Sequence, residues 1–443
     1  MPYVPHTSAE QQTMLETIGV ASIEDLFAPI DASLRPSTFD LPDGQSEMAV
    51  TRRLEELAAR NSIHLHHFLG AGFYDHAVPA AVNALAGRGE FYTAYTPYQP
   101  EASQGILQAF FEFQTAIARL FELDFANASL YDGGTALYEA VMTAVRVTKR
   151  RKIVVSEAVN PIYRSMLDCY TSNLQLELVT VPQRQGQTDL EGLRAAIDDQ
   201  TAAIIVQNPN FFGAITDFSG LFATAREHKA LSILAAYPLL QSVLKTPGAM
   251  GADIAVAEGQ SLGLPLAFGG PYLGVFACRK KLVRQMPGRV VGRTTDAEGK
   301  TGYTLTLQTR EQHIRRQKAT SNICSNQALC ALQATIYMSL LGPEGMTRTA
   351  ATSIERAHYA AKRFCALPGV EMLNAAPFGN EFAVRLPCKA YDLISRLLPK
   401  GYVPGFPLGR YFEGMDNCLL VAVTEKTEPA DIGIMAEMVG GAV

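Results

Sequence analysis

The chain has 443 residues, of which 48% are apolar and 18% charged, and a formal net charge of −5 at pH 7. This length exceeds one small domain and the composition supplies a large core, while the mild acidity gives no general attraction to nucleic acid or anionic lipid. Seven scattered cysteines without a C-x-x-C pair fit neither a disulfide framework nor a zinc site.

Met1-Pro-Tyr-Val-Pro-His-Thr-Ser has neither a basic nor an apolar leader region, and no long uncharged apolar run follows it. A cytoplasmic protein with reduced thiols is expected. Residues 1–65 read as an N-terminal helical arm, with helices over Ser8–Ile18 and Glu47–Arg60 and with Pro29, Pro36 and Pro42 between them. Beyond Gly105, the spacing of Ile106, Phe110, Phe113, Ile117 and Leu120 predicts an amphipathic helix.

Alternating elements follow. Helices are predicted over 135–149, 161–170, 189–197 and 220–228, and strands over 152–156, 176–181, 202–207, 231–235, 253–257 and 274–278. Apolar strands alternating with helices imply an α/β fold, a mainly parallel sheet covered on both faces, in a large domain over 66–325. A linking helix over Asn326–Leu340 opens a smaller α+β C-terminal domain, 326–443, with strands near Val370, Glu381–Leu386 and Cys418–Val423.

Leu130-Tyr-Asp-Gly-Gly-Thr135 places Gly133, Gly134 and Thr135 at the start of a helix, where free N–H groups favour a phosphate or carboxylate. A plain turn with Thr135 as N-cap is the alternative. The segment 90–105 holds Tyr92, Tyr95 and Tyr98 beside polar residues, with two prolines, Pro97 and Pro100, to fix an extended loop. It suits either a packed loop or a rigid, partly polar binding wall.

Arg310, His313, Arg315, Arg316 and Lys318 form the one basic run, read as a solvated face or as a dock for an acidic carrier or a carboxylate. His64, His66 and His67 lack acidic or thiol companions and predict a structural role. Cys324 and Cys330 are expected to be inert unless exposed.

The tyrosine loop, Phe68-Leu-Gly-Ala-Gly-Phe-Tyr-Asp-His76, Gln207-Asn-Pro-Asn-Phe-Phe-Gly213, Glu258-Gly-Gln-Ser261 and Gln317-Lys-Ala-Thr-Ser-Asn-Ile-Cys324 together resemble the first (α) subunits of two-subunit glycine decarboxylases, the P-proteins of the glycine cleavage system. The likeness runs over essentially the whole chain. It implies the pyridoxal-phosphate (PLP) transferase fold type I and an α2β2 assembly whose second (β) subunit carries the PLP lysine.

It implies further that glycine is decarboxylated on the partner and that its aminomethyl group passes to the lipoyl arm of the H-protein. In this chain the cofactor positions have lapsed: Ala235 and Ala236 stand where an Asp would meet the pyridine nitrogen, Gln260 or Ser261 where the lysine would be, and Asn160 where a ring would stack. Gly133, Gly134 and Thr135 then form a vestigial phosphate cup. Tyr95 and Tyr98 are expected to reach the partner's pocket, and Thr320, Ser321 and Asn322 the phosphate of the partner's PLP, with helix capping as the alternative for these three. Two other readings stay open: a carrier-docking subunit with no active-site residue, and an autonomous PLP enzyme anchored through Lys245.

Overall fold

The computed structural model describes residues 6–443 apart from 37, 39, 63, 92–95, 268, 324 and 325. Residues 1–63 and 64–443 form separate compact units. In the first, helices Ser8–Ile18 and Glu47–Ala58 are capped by Thr7 and Ser46, whose hydroxyls accept from Glu10 N and Ala49 N. Neither helix buries a residue.

The core of the second unit is a seven-stranded sheet: β1 (Phe125–Ala126), β2 (Lys152–Ser156), β3 (Glu177–Val181), β4 (Thr201–Asn208), β5 (Leu231–Ala236), β6 (Ile254–Glu258) and β7 (Gly274–Cys278). In space they run β1-β7-β6-β5-β4-β2-β3. Strands β2 to β6 are mutually parallel, whereas β7 pairs antiparallel with both β6 and β1. The predicted strands recur within a residue or two at each end. Every residue of β5, β6 and β7 is buried, as expected of a sheet covered on both faces.

Helix α1 (Gln104–Leu120) packs Phe110, Phe113 and Ile117 into one core, and α2 (Gly133–Thr148) packs Leu137, Val141 and Ala144 into another. Elements that went unpredicted include the short edge strand β1, the helix Ala80–Ala86 and the hairpin of β8 (Val290–Thr295) and β9 (Thr301–Thr306). The linking helix continues beyond Leu340, from Ala328 to Phe364, but Gly342 (φ 60°, ψ −177°) ahead of Pro343 breaks it into two segments.

The C-terminal part carries a four-stranded sheet that includes Glu381–Arg385 and Cys418–Ala422, with its own core around Phe364, Phe382 and Leu419. Gly213 faces this sheet at φ +85°, and a Cβ there would collide with the Glu381 carbonyl. The β5–β6 strand ends and the C-terminal sheet thus enclose one polar interior site.

Candidate functional site

The turn before α2 carries the predicted cup, and the chain's own acids fill it. Asp132, not Thr135, is the N-cap: its Oδ1 accepts from Thr135 N at 2.8 Å and its Oδ2 from Thr135 Oγ1 at 2.9 Å. Gly133 N donates to Glu258 Oε2 at 3.0 Å, and Glu258 Oε1 accepts from Gln260 N and Leu273 N, each at 3.1 Å. Burial pushes the Glu258 carboxyl up to about 8 against the opposing pull of these N–H donors. A Cβ on Gly133 would strike the Tyr163 hydroxyl, and one on Gly134 the Met166 sulfur.

The expected lysine position is taken by a strut. Gln260 is 1% exposed; its Oε1 accepts from Tyr74 N at 2.9 Å, and its Nε2 donates to the carbonyls of Tyr74 at 3.0 Å and Leu264 at 2.9 Å. Ser261 is buried beside it, and Ala235 and Ala236 end β5 as buried methyl groups. Asn160 caps the helix Pro161–Thr171, with Oδ1 accepting from Ile162 N at 2.9 Å and Nδ2 donating to Ala71 O at 3.2 Å.

Glu381 is wholly enclosed, accepts from Ala71 N at 2.6 Å and Tyr74 Oη at 2.9 Å, and is pushed by burial up to about 7. The ring of His76 bridges Tyr237 and Glu425. The space left between Gly72, Asn160, Tyr163, Ala235 and Asn380 is about 40 Å³. That holds water, whereas ligand pockets begin near roughly 300 Å³. Among the described residues that line this space there is no lysine, β5 ends in Ala235 and Ala236, Asn160 stands where a stacking ring was expected, and Glu258 occupies the cup, so the residues present do not fit PLP. Lys245 is at the surface, its amine held at 2.8 Å by both Asp217 and Ser219 Oγ.

A second polar group gathers about Tyr98 and remains open. The Tyr98 side chain is 46% exposed, and its hydroxyl accepts from Arg289 Nη2 at 2.9 Å. The Arg289 guanidinium lies 5.3 Å from the tyrosine ring centroid and His313 meets the ring edge-on at 5.4 Å. Arg289 itself is 3% exposed, 3.8 Å from Glu311. Arg289 Nε, Arg310 Nη1, Glu311 Oε1, Glu139 Oε2 and Arg146 Nε are buried without a hydrogen-bond partner among the described residues. Tyr95 lies outside the described residues.

The Ser321 hydroxyl donates to Glu139 at 2.6 Å and accepts from Ile323 N, so it is used internally. Thr320 N donates to the Arg310 carbonyl, and Asn322 is exposed. Within the basic run Arg310 turns inward, onto the carbonyls of Gly288 and Leu307. Arg315, Arg316 and Lys318 are exposed and paired with no acid among the described residues.

His66 stacks on Tyr402, and no metal-holding group of His, Cys, Asp or Glu occurs among the described residues. Burial pushes the thiol of Cys330 up to about 11, which keeps it protonated and unreactive; Cys324 is outside the described residues. Among the described residues no helix is long and apolar enough to cross a membrane.

Sequence reasoning missed Glu258, Glu381 and the His76 bridge. Glu258 had a readable signal, a lone acid ending an otherwise apolar strand before Gly259, whereas the Glu381 and Glu425 contacts span more than 300 residues of chain.

This sheet order and the paired C-terminal sheet define the fold type I class of PLP-dependent enzymes. A sphingosine-1-phosphate lyase from Burkholderia pseudomallei shares the fold at 16% identity, with TM-score 0.68 over 93% of both chains. The model of the glycine cleavage system P-protein matches residues 1–439, and the chain belongs to that family.

The probable glycine dehydrogenase (decarboxylating) subunit 1 of Nitratidesulfovibrio vulgaris (strain Hildenborough) is 66% identical over 441 residues, spanning 100% of both chains. A solved glycine decarboxylase (P-protein) of the glycine cleavage system, in inhibitor-bound form, is 45% identical with TM-score 0.93 over 100% of both chains.

Proposed function

We propose that this chain is the subunit of a glycine decarboxylase that carries no cofactor. PLP sits on a lysine of a homologous second subunit, and the two chains form an α2β2 assembly. Together they decarboxylate glycine and pass the aminomethyl group to the lipoyl arm of the H-protein. The family match and the names of the full-length relatives support the activity. The 40 Å³ remnant with Glu258 bonded into the cup supports assigning the cofactor to the partner.

The chain then serves the partner's site from outside. Tyr98, held by Arg289 but half exposed, is the described residue best placed to present a hydroxyl across an interface. Tyr95 shares that proposed role. With the Ser321 hydroxyl committed to Glu139, donation to the phosphate of the partner's PLP falls to Thr320 and Asn322. The exposed cations Arg315, Arg316 and Lys318 favour a further contribution, docking of an acidic carrier, which would weaken with salt.

The test is to co-purify both chains, reduce with borohydride and locate the pyridoxyl group. Label on the partner alone is expected; stoichiometric label on this chain would overturn the reading. Exchanging Tyr95 and Tyr98 for Phe and Ala in the assembled enzyme tests the interface roles. Unchanged glycine decarboxylation in all four variants would leave the chain a purely structural or docking subunit.

A further inference from the structure

An isolated helix N-terminus leaves N–H donors that must find acceptors, and burial makes an unmet donor costly. At the start of α2 two acids of the chain do this work: Asp132 takes Thr135 N and Thr135 Oγ1, and Glu258 takes Gly133 N. Glu258 is 6% exposed, and its second oxygen ties down Gln260 N and Leu273 N, the backbone on either side of the segment where the lysine would stand. Tyr163 and Met166 fill the volume beside Gly133 and Gly134. One carboxyl thus holds together the helix start, the end of β6 and the return into β7.

We infer that Glu258 is an internal carboxyl ligand that takes the place of a bound phosphate at the start of α2 and seals this site against phosphate-bearing ligands. The inference rests on the cofactor-free reading and explains how that state is stable. In a fold built around a cofactor, an empty cup would leave buried donors unmet. Here the protein supplies the acceptor itself, so the chain reaches its native state whether or not PLP is available.

Formate, the smallest carboxylate, is the probe. The full-length chain with Glu258→Ala is expected to melt several degrees below wild type in chloride buffer. Added formate should return a saturable part of that loss, while leaving wild type unmoved. Glu258→Gln keeps the volume but turns an amide N–H₂ toward backbone donors, so it should melt below wild type and ignore formate. It also preserves the test if the alanine variant does not fold. Alanine and glutamine variants that melt with wild type, or formate raising wild type and Glu258→Ala equally, would overturn the inference. A flat formate titration on a chain that takes no pyridoxyl label sinks this inference and leaves the cofactor-free reading standing; a labelled chain sinks that reading instead.

Discussion

The two polar regions of the larger unit have opposite character. Around Glu258, Gln260, Tyr74 and Glu381, most donors and acceptors are met inside the chain, Ser261 Oγ and Asn380 Nδ2 being exceptions, and the residual space is about 40 Å³. Around Tyr98, Arg289 and Glu311, several polar atoms are buried without partners among the described residues, and an aromatic hydroxyl stays half exposed. Unsatisfied buried groups are rare in finished structures and cluster where function or another molecule accounts for them. The first region is filled by the chain's own side chains, whereas the second keeps an aromatic hydroxyl half exposed.

Breaking the open region should have the largest effect. Arg289→Ala removes a buried cation 3.8 Å from Glu311, leaving His313 and the Arg310 charge to face that carboxylate, and deletes the donor that fixes Tyr98. A loss of about 3–5 kcal/mol is expected in denaturant unfolding of the chain. Arg289→Lys would restore charge but not the geometry toward both the phenol and the acid, and should recover less than half. A variant as stable as wild type would show that Glu311 already finds compensation elsewhere.

The closed region should respond to pH in a direction its burial dictates. Glu381 is held up to about 7 from an ordinary carboxyl near 4.5, so the folded state binds its proton more tightly than the unfolded chain does. The stability it contributes is full below pH 4.5 and is lost as pH rises through about 7, by at most about 3 kcal/mol. Glu381→Gln cannot lose that proton, so its stability should fall less than that of wild type between pH 5 and pH 8. Parallel stability–pH curves would show that Glu381 is ionised throughout.

Sequence alone disclosed much of this contrast and missed its key contacts. Strands β4, β5 and β6 were legible because runs such as Ala202–Val206 and Ile254–Ala257 are continuously apolar, the mark of strands buried on both faces. The β8–β9 hairpin was not, since Thr294, Thr295 and Thr301 are exposed and no apolar alternation marks it. The lapsed cofactor positions could be counted along the chain. What fills them could not, because Glu381 reaches Ala71 and Tyr74 only through the packing of the C-terminal sheet against the central one.

A smaller change sharpens the role of the open surface. Tyr98→Phe keeps the ring over Arg289 and deletes one hydroxyl, so stability should move by about 1 kcal/mol or less. If that hydroxyl serves the partner's site, glycine decarboxylation by the assembled enzyme falls by more than this stability change explains, and Tyr98→Ala falls further. Activity that tracks stability alone would reduce Tyr98 to a packing residue.

The smallest effect is expected at the residue an autonomous enzyme would need most. The Lys245 amine is 2.8 Å from both Asp217 and Ser219 Oγ, with nearly half of its side chain exposed. An exposed pair of this kind is worth about 0–1 kcal/mol, so Lys245→Ala should shift stability by about 0.5 kcal/mol and leave decarboxylation by the complex intact. Asp217, held down to about 2 chiefly by the lysine, should titrate closer to its ordinary range near 3.8 in the variant. An inactive Lys245→Ala enzyme that is normally folded and assembled would reverse the contrast between the two regions, because it would place the essential amine on this chain and outside the sealed cup.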